Sequence, residues 1–446
     1  MQSAAKPAQP ARSPRVLSVD VLRGLTIALM ILVNDPGDWE HVYTQLDHAE
    51  WNGFTLTDFV FPNFLFLVGV SIVLSLSSRI ARGSEDPASG SSKRALALHI
   101  FRRAAIIFLI KLLLSVFPHF HLTHLRIFGV LTRIAVCYLI AGLICLAVWN
   151  TRHRARTLTA IAAALLIGYW ALMRFVPVPG YGVPTHAIPI LDPDGNLAAW
   201  LDRAFNAFTQ RSLHTGSLYN QTRDPEGILS TLPAIATTLI GCLAGLWLGR
   251  VSTSRTQIRK RHSDSERSVE SESPYSAEAG TITRAYCLNG LILSGVISLT
   301  LGLLWGLTFP INKNLWTSSY VLFAAGWSLL LLAFFYWLID IRRIDEKPAG
   351  KALLWPWLVF GSNAITAYVI SNFLVELMLW IKVPASAMRD PDTPSAPITA
   401  WLWTYRHLFA LNDSTEVTSL AFALFFTAVC FLPNWFLWRR KIFLKV

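Results

Sequence analysis

Charge is scarce in this sequence. Asp, Glu, Lys and Arg make up 15% of its 446 residues, against about 25% in a soluble globular domain. Hydrophobic residues reach 53%, too many for a single globular core to hide. Cysteine is sparse as well: Cys137, Cys145, Cys242, Cys287 and Cys430 stand singly in apolar stretches without CxxC spacing, which argues against disulfides and structural zinc. No small-residue cleavage site follows the first apolar run, so the Pro- and Ala-rich basic start leads into an uncleaved first helix. An inverted repeat of the transporter kind is missing too.

What is present is a series of long apolar runs. Phe54–Leu76, Leu232–Leu248, Leu288–Leu307 and Trp316–Ile339 approach or exceed the roughly 20 residues that cross a bilayer. The reading is an all-α, polytopic transmembrane helical bundle of about ten spans, at 19–33, 55–78, 100–117, 127–149, 157–175, 231–249, 286–308, 316–339, 355–380 and 418–438. The stretch 398–411, ITAWLWTYRHLFAL, is apolar but short and reads as interfacial or re-entrant; a broken eleventh span is the alternative. A net charge of +12 would suggest nucleic acid in a soluble protein, but here the basic residues sit in short loops between apolar segments. With ten spans, 27 of them fall on one side and eight on the other, which the positive-inside rule reads as cytoplasmic N and C termini, a lipid bilayer partner and no nucleic acid.

The chain then divides into a basic cytoplasmic tail (1–18), a six-helix part (19–250) with an outer loop at 177–230, a linker (251–284) and a four-helix part (285–446). The linker is Ser-, Arg- and Glu-rich and is expected to be disordered and cytoplasmic. The outer loop carries turn signals and then a helix-like stretch, NLAAWLDRAFNAF, long enough to cap a site from outside. The many Trp and Phe residues fit lipid contact or a homodimer interface equally.

Polar residues inside or beside the spans are the candidates for function, because they are costly there. Asp20 and Arg23 share a face at the start of the first helix; they are either an interfacial ion pair or a contact to an anionic cytoplasmic ligand. The connection from Asn34 to Asn52 is crowded with polar groups, and Asp58 and Asn63 follow inside the second span. His48 stands there beside a Trp-Asn-Gly turn, where imidazole can serve as a general base or merely be an exposed loop side chain. Arg133 lies several residues into a span, either paired with a carboxylate such as Asp58 or holding an anionic group. Lys111 reads as snorkelling or a buried pair. Asp224 and Glu226 precede a helix, as caps or as acceptor contacts. Asn312, Asn314, Trp316, Asn363 and Glu376 fit either a cavity lining or helix packing. His119, His121 and His124 lack a completing carboxylate or cysteine, so no metal site is expected. The DPDGN turn at 192–196 is a fragment of a calcium loop at most, and Asn220-Gln221-Thr222 fits a glycosylation sequon.

RVLSVDVLRGLTIALMILVN and HAEWNGFTLTDFVFPNFLFLVGVSI, followed by GVLTRIAVCYLIAGLI, DPEGILSTLPAIATTLIGCLAG, NKNLWTSSYVLF and WLVFGSNAITAYVI, resemble the transmembrane acetyltransferase family typified by heparan-alpha-glucosaminide N-acetyltransferase. The resemblance implies ten or eleven helices, acetyl-CoA as cytoplasmic acyl donor and a sugar or glycan acceptor on the other side. It carries the active-site histidine over to His48 and the asparagine ending the first matching helix to Asn34. Donor-side contacts fall on Asp20, Arg23 and Arg133, and acceptor-side contacts on Asp58, Asn63, Asp224 and Glu226. The link DPGDWEHVYTQLD is longer and more acidic than the family's. The large luminal extension of the animal enzymes is missing, so the expectation is a multi-pass protein of the bacterial inner membrane.

In such a reaction the attacking amine loses a proton as it adds to the thioester carbonyl, and neutral imidazole can accept it. Asn34 can meet the oxyanion or orient His48; a ping-pong route through acetylated His48 is equally open. Two other classes remain: a transporter or glycan flippase using the same polar cavity, and a non-catalytic membrane scaffold.

Overall fold

The computed structural model describes residues 16–85, 92–184, 191–265, 274–383 and 397–444, without the side chains of 82–85 and 250–281. It is a helical bundle: α1 (Leu17–Asn34), α2 (Leu56–Glu85), α3 (Lys93–Val116), α4 (Val130–Val148), α5 (Arg154–Phe175), α6 (Leu197–Leu213) and α7 (Thr231–Ser265) form its first part. Then come α8 (Pro274–Gly306), α9 (Ser318–Phe335, running on through a π turn at Tyr336–Ile341), α10 (Pro348–Ser362), α11 (Ala364–Trp380), α12 (Ala400–Leu408) and α13 (Glu416–Arg439). A two-residue strand pair, β1 (Lys382–Val383) with β2 (Ile398–Thr399), closes the base of α12. Of the linker expected at 251–284, residues 251–265 continue α7 and 274–284 begin α8, and 266–273 lie outside the described residues.

Among the described residues, eight helices are long and apolar enough to cross a membrane, or nine if the bent pair α10–α11 is one span. Two of the ten expected spans are not among those eight single helices. The segment expected at 355–380 is no single rod: α10 and α11 meet at 78°. The break falls at Asn363, whose side chain leaves the helix to donate to the Ile442 carbonyl at 3.1 Å and to accept the Leu444 N–H at 2.9 Å. Asn363 thus anchors the C-terminal tail rather than lining a cavity. The segment expected at 100–117 is helical as α3, but Arg102, Arg103 and Lys111 interrupt its apolar stretch. Lys111 is buried and donates to Ser115 Oγ and the Arg126 carbonyl, a neutral pairing. The 398–411 stretch yields only the nine-residue α12, about 13 Å long and too short to cross.

Packing follows from small residues at the crossings. Gly24 of α1 lies under the Trp357 carbonyl of α10, and Gly361 lies under the Asp20 carbonyl, so neither position has room for a Cβ. Such close backbone approach supplies van der Waals contact where lipid offers no hydrophobic drive between helices. α2 runs through the centre of the bundle, with Leu65, Phe66, Leu67 and Val70 fully buried. Its polar residues are therefore held in protein, which is where a membrane helix can carry them.

Candidate active site

α2 begins with a reciprocal cap. The Asp58 N–H donates to Thr55 Oγ1 at 3.3 Å, and Asp58 Oδ2 accepts the Thr55 N–H at 3.1 Å, the capping-box pattern with aspartate at its third position. The carboxylate, 1% exposed, also accepts the Ala49 N–H at 3.1 Å. Its other oxygen, Oδ1, lies 2.7 Å from His48 Nδ1. A carboxylate fixed by backbone donors and a helix N-terminus thus orients an imidazole that remains 41% exposed. Nδ1–H donates to Asp58, which leaves Nε2 as the nitrogen able to take a proton.

A cation also reaches the site: Lys313, from the turn between α8 and α9. Its Nζ lies 2.9 Å from His48 Nε2, 3.1 Å from Nδ1 and 4.0 Å from Asp58 Oδ1. Lys313 is not among the candidates the sequence offers; its place between two asparagines in NKNLW was the available signal. Burial is the main influence on Lys313 and pushes its pKa below the ordinary lysine value, with Asp58 and Glu226 opposing the shift and Arg133 adding to it.

Below this group lies Arg133, 1% exposed. Its guanidinium stacks on Trp316 at 4.9 Å and Nη2 donates to Ser230 Oγ and, at 3.3 Å, to the Gly227 carbonyl. It does not pair with Asp58, the carboxylate partner proposed from sequence, and among the described residues Nε and Nη1 have no hydrogen-bond partner. Trp316 in turn packs edge-on against Phe61 of α2 and Tyr320 of α9. Asn63 donates to Thr26 Oγ1 at 2.8 Å, tying α2 to α1 in the interior, with its own oxygen unpartnered among the described residues.

Other expected residues are placed elsewhere. Asp224 and Glu226 are both engaged by Arg126, at 2.7–2.8 Å through Nε and Nη2 to Asp224 and at 2.7 Å to Glu226. Arg126 was another residue whose role the sequence hid, being 98 positions from its partner. Asp20 and Arg23 form an ion pair at 2.6 Å, and Arg23 also donates to the Gly361 carbonyl at 3.0 Å and to Ser71 at 3.4 Å. Ser71 is 13 residues along α2 from Asp58, about 20 Å on a helix rise of 1.5 Å. The Asp20–Arg23 pair and the His48 group are therefore at opposite ends of the bundle. Asn34 ends α1 on an exposed position; among the described residues no hydrogen bond joins it to His48.

The outer loop covers this end. Trp51 Nε1 donates to the Leu191 carbonyl at 2.7 Å, and Arg223 stacks on the Trp51 ring at 5.0 Å. An oriented imidazole, a carboxylate behind it and an ammonium in front make a group suited to proton transfer at an electrophilic carbonyl.

Comparison with known proteins agrees with that chemistry. Residues 15–269 match the family model described as heparan-alpha-glucosaminide N-acetyltransferase, catalytic. The chain is 29% identical over 396 residues to the heparan-alpha-glucosaminide N-acetyltransferase of Mus musculus, covering 80% of this chain and 53% of that protein. For the Homo sapiens protein of the same name the figures are 29% over 392 residues, 80% and 52%; the chain thus spans about half the length of these relatives. His48, Asp58 and Arg133 all lie within the matched region, and the chain belongs to the heparan-alpha-glucosaminide N-acetyltransferase catalytic family.

Proposed function

We propose that this protein is a membrane acetyltransferase that moves acetyl from cytoplasmic acetyl-CoA to an amino group of a sugar or glycan on the outer side. His48 is the general base. The observation that carries the reading is the 2.7 Å pairing of His48 with the buried Asp58, inside a region matched by an acetyltransferase family. Asp58 fixes the tautomer, so that Nε2 receives the proton as the amine attacks. The route is direct: the new N–C bond forms as the thioester C–S bond breaks, and the imidazolium returns its proton to the departing thiolate.

The sidedness rests on ten spans with both termini cytoplasmic, in a bacterial inner membrane. Arg23 and Asp20 stand at the donor's end. A cleft of about 360 Å³ lined by Arg152, His153, Arg154 and Arg156 supports an anionic ligand on that face. The long pantetheine arm bridges the distance to His48. Arg133, whose Nε and Nη1 are without a partner among the described residues, and Asn34 serve the reacting end. Asn63 ties α2 to α1 through Thr26, while Asp224 and Glu226 serve the acceptor side, held by Arg126.

The test is transfer of labelled acetyl from acetyl-CoA to a panel of amino sugars, with purified protein in nanodiscs. His48→Ala should lose roughly 100-fold or more, the range of a positioned general base. Equal transfer by both proteins would remove His48 from the mechanism. Label retained on His48 after incubation with donor alone would replace the direct route by a covalent one.

A further inference from the structure

Two turns far apart in sequence are fastened together around His48. The Gly53 N–H donates to the Ile311 carbonyl at 2.9 Å, Asn312 Nδ2 donates to the Trp51 carbonyl at 2.8 Å, and the Tyr320 hydroxyl donates to the Asp58 carbonyl at 2.7 Å. Asn312 is fully buried and also accepts the Leu315 N–H at 2.9 Å, so the turn itself is braced from within. Trp316 holds a φ of +51°, a left-handed conformation that a bulky residue adopts only when its surroundings impose it. The side chain delivered by this clamp is Lys313, 18% exposed and 2.9 Å from His48 Nε2. A lysine serving only solubility would extend into water. This one is placed against the base.

We propose that Lys313 is a catalytic residue whose ammonium donates to the oxyanion formed when the amine adds to the thioester carbonyl. The proposal rests on the acyl-transfer reading above. A general base works within about 3 Å of the proton it removes, so the attacking amine sits beside Nε2, with the carbonyl carbon bonded to it and the carbonyl oxygen one bond beyond that carbon. A donor already 2.9 Å from Nε2 reaches that oxygen by side-chain rotation alone. As the N–C bond forms, the carbonyl electron pair moves onto oxygen, where Lys313 meets it, and the amine proton passes to Nε2. Collapse expels the thiolate, which takes the proton from the imidazolium, leaving amide and free thiol. Lys313 remains an ammonium throughout; as a neutral amine it would itself be acetylated to a stable amide and stop turnover. The charged groups bearing on it are Asp58 and Glu226, which hold the proton on, and Arg133, which opposes them.

The experiment compares wild type, K313M, K313R and H48A in nanodiscs, measuring kcat against pH with labelled acetyl-CoA and an amino sugar. K313M should lower kcat roughly 100- to 1,000-fold, the cost of one oxyanion donor, with the KM for donor nearly unchanged. Wild type should lose activity at alkaline pH as Lys313 deprotonates, below the ordinary lysine range. K313R should retain measurable activity and lack that alkaline limb, because guanidinium keeps its proton. If H48A is inactive while K313M turns over within about threefold of wild type, the base stands and the Lys313 assignment falls. An unmoved alkaline limb in K313R also overturns it, and decides the matter should K313M fail to fold. Wild type inactive toward every acceptor defeats both readings.

Discussion

Asp58 has two attachments, and each makes a separate demand on it. One oxygen closes the cap of α2 and the other holds His48, so replacement by asparagine removes charge from both while preserving shape. Asp58→Asn should keep the fold and lower kcat by roughly 100-fold or more, because a neutral amide no longer enforces the Nδ1–H tautomer. Unchanged turnover at equal expression would separate Asp58 from the chemistry. Arg126 makes the contrasting case. Arg126→Ala leaves the Asp224 carboxylate, with no exposed side-chain surface, and the 12%-exposed Glu226 side by side without a cation. Removing one partner of such a cluster costs about 3–5 kcal/mol, and the 27% exposure of Arg126 argues for the low end. Thermal unfolding of the detergent-solubilised protein measures it. At this scale the sequence brought out His48 and Asp58 as single residues, not as partners: Asp58 was matched with Arg133, and its pairing with His48 came from the structure. It was silent where partners are far apart. Lys313 stands 265 residues from His48, and no local pattern encodes that meeting.

At the scale of elements, apolar periodicity located the helices well, because a bilayer demands long unbroken runs. It failed at Asn363, where hydropathy stays high across the bend and the deciding contacts come from residues 442 and 444. It also could not reveal that α1 and α10 touch. Gly24→Ala should test that crossing: the added methyl overlaps the Trp357 carbonyl, and overpacking of this kind costs about 1–3 kcal/mol. An unchanged unfolding temperature would show that the two helices do not approach so closely. α6 offers a test by pH. Asp202, 2% exposed, accepts the Ile228 N–H at 3.0 Å and the Asp224 N–H at 3.4 Å, and burial raises its pKa to about 7. A carboxyl whose folded pKa exceeds its unfolded one favours the native state when protonated. Its contribution is therefore fullest below the unfolded value and is lost as pH rises towards 7. Between pH 4 and pH 7, roughly the window spanned by those two values, wild type should lose more thermal stability than Asp202→Asn. Parallel curves would refute the assignment.

For the whole molecule, everything depends on which end faces out. The His48 group and the Asp20–Arg23 pair stand about 20 Å apart along α2, so a donor entering at one end must present its acetyl at the other. Basic residues supply the orientation: they concentrate on the face that carries Arg152, Arg154 and Arg156, and that face should be cytoplasmic. The five native cysteines are all buried, which leaves a quiet background for labelling in the otherwise unaltered chain. A membrane-impermeant maleimide applied to intact cells should label His48→Cys, whose position is 41% exposed on the native side chain. It should leave Arg152→Cys unlabelled until the membrane is opened. The reverse pattern would turn the bundle over and place donor and base on one side, and acetyl transfer across the membrane would then fall. Labelling of both positions from outside would instead mean that an even number of crossings, not the expected three, separates residues 48 and 152.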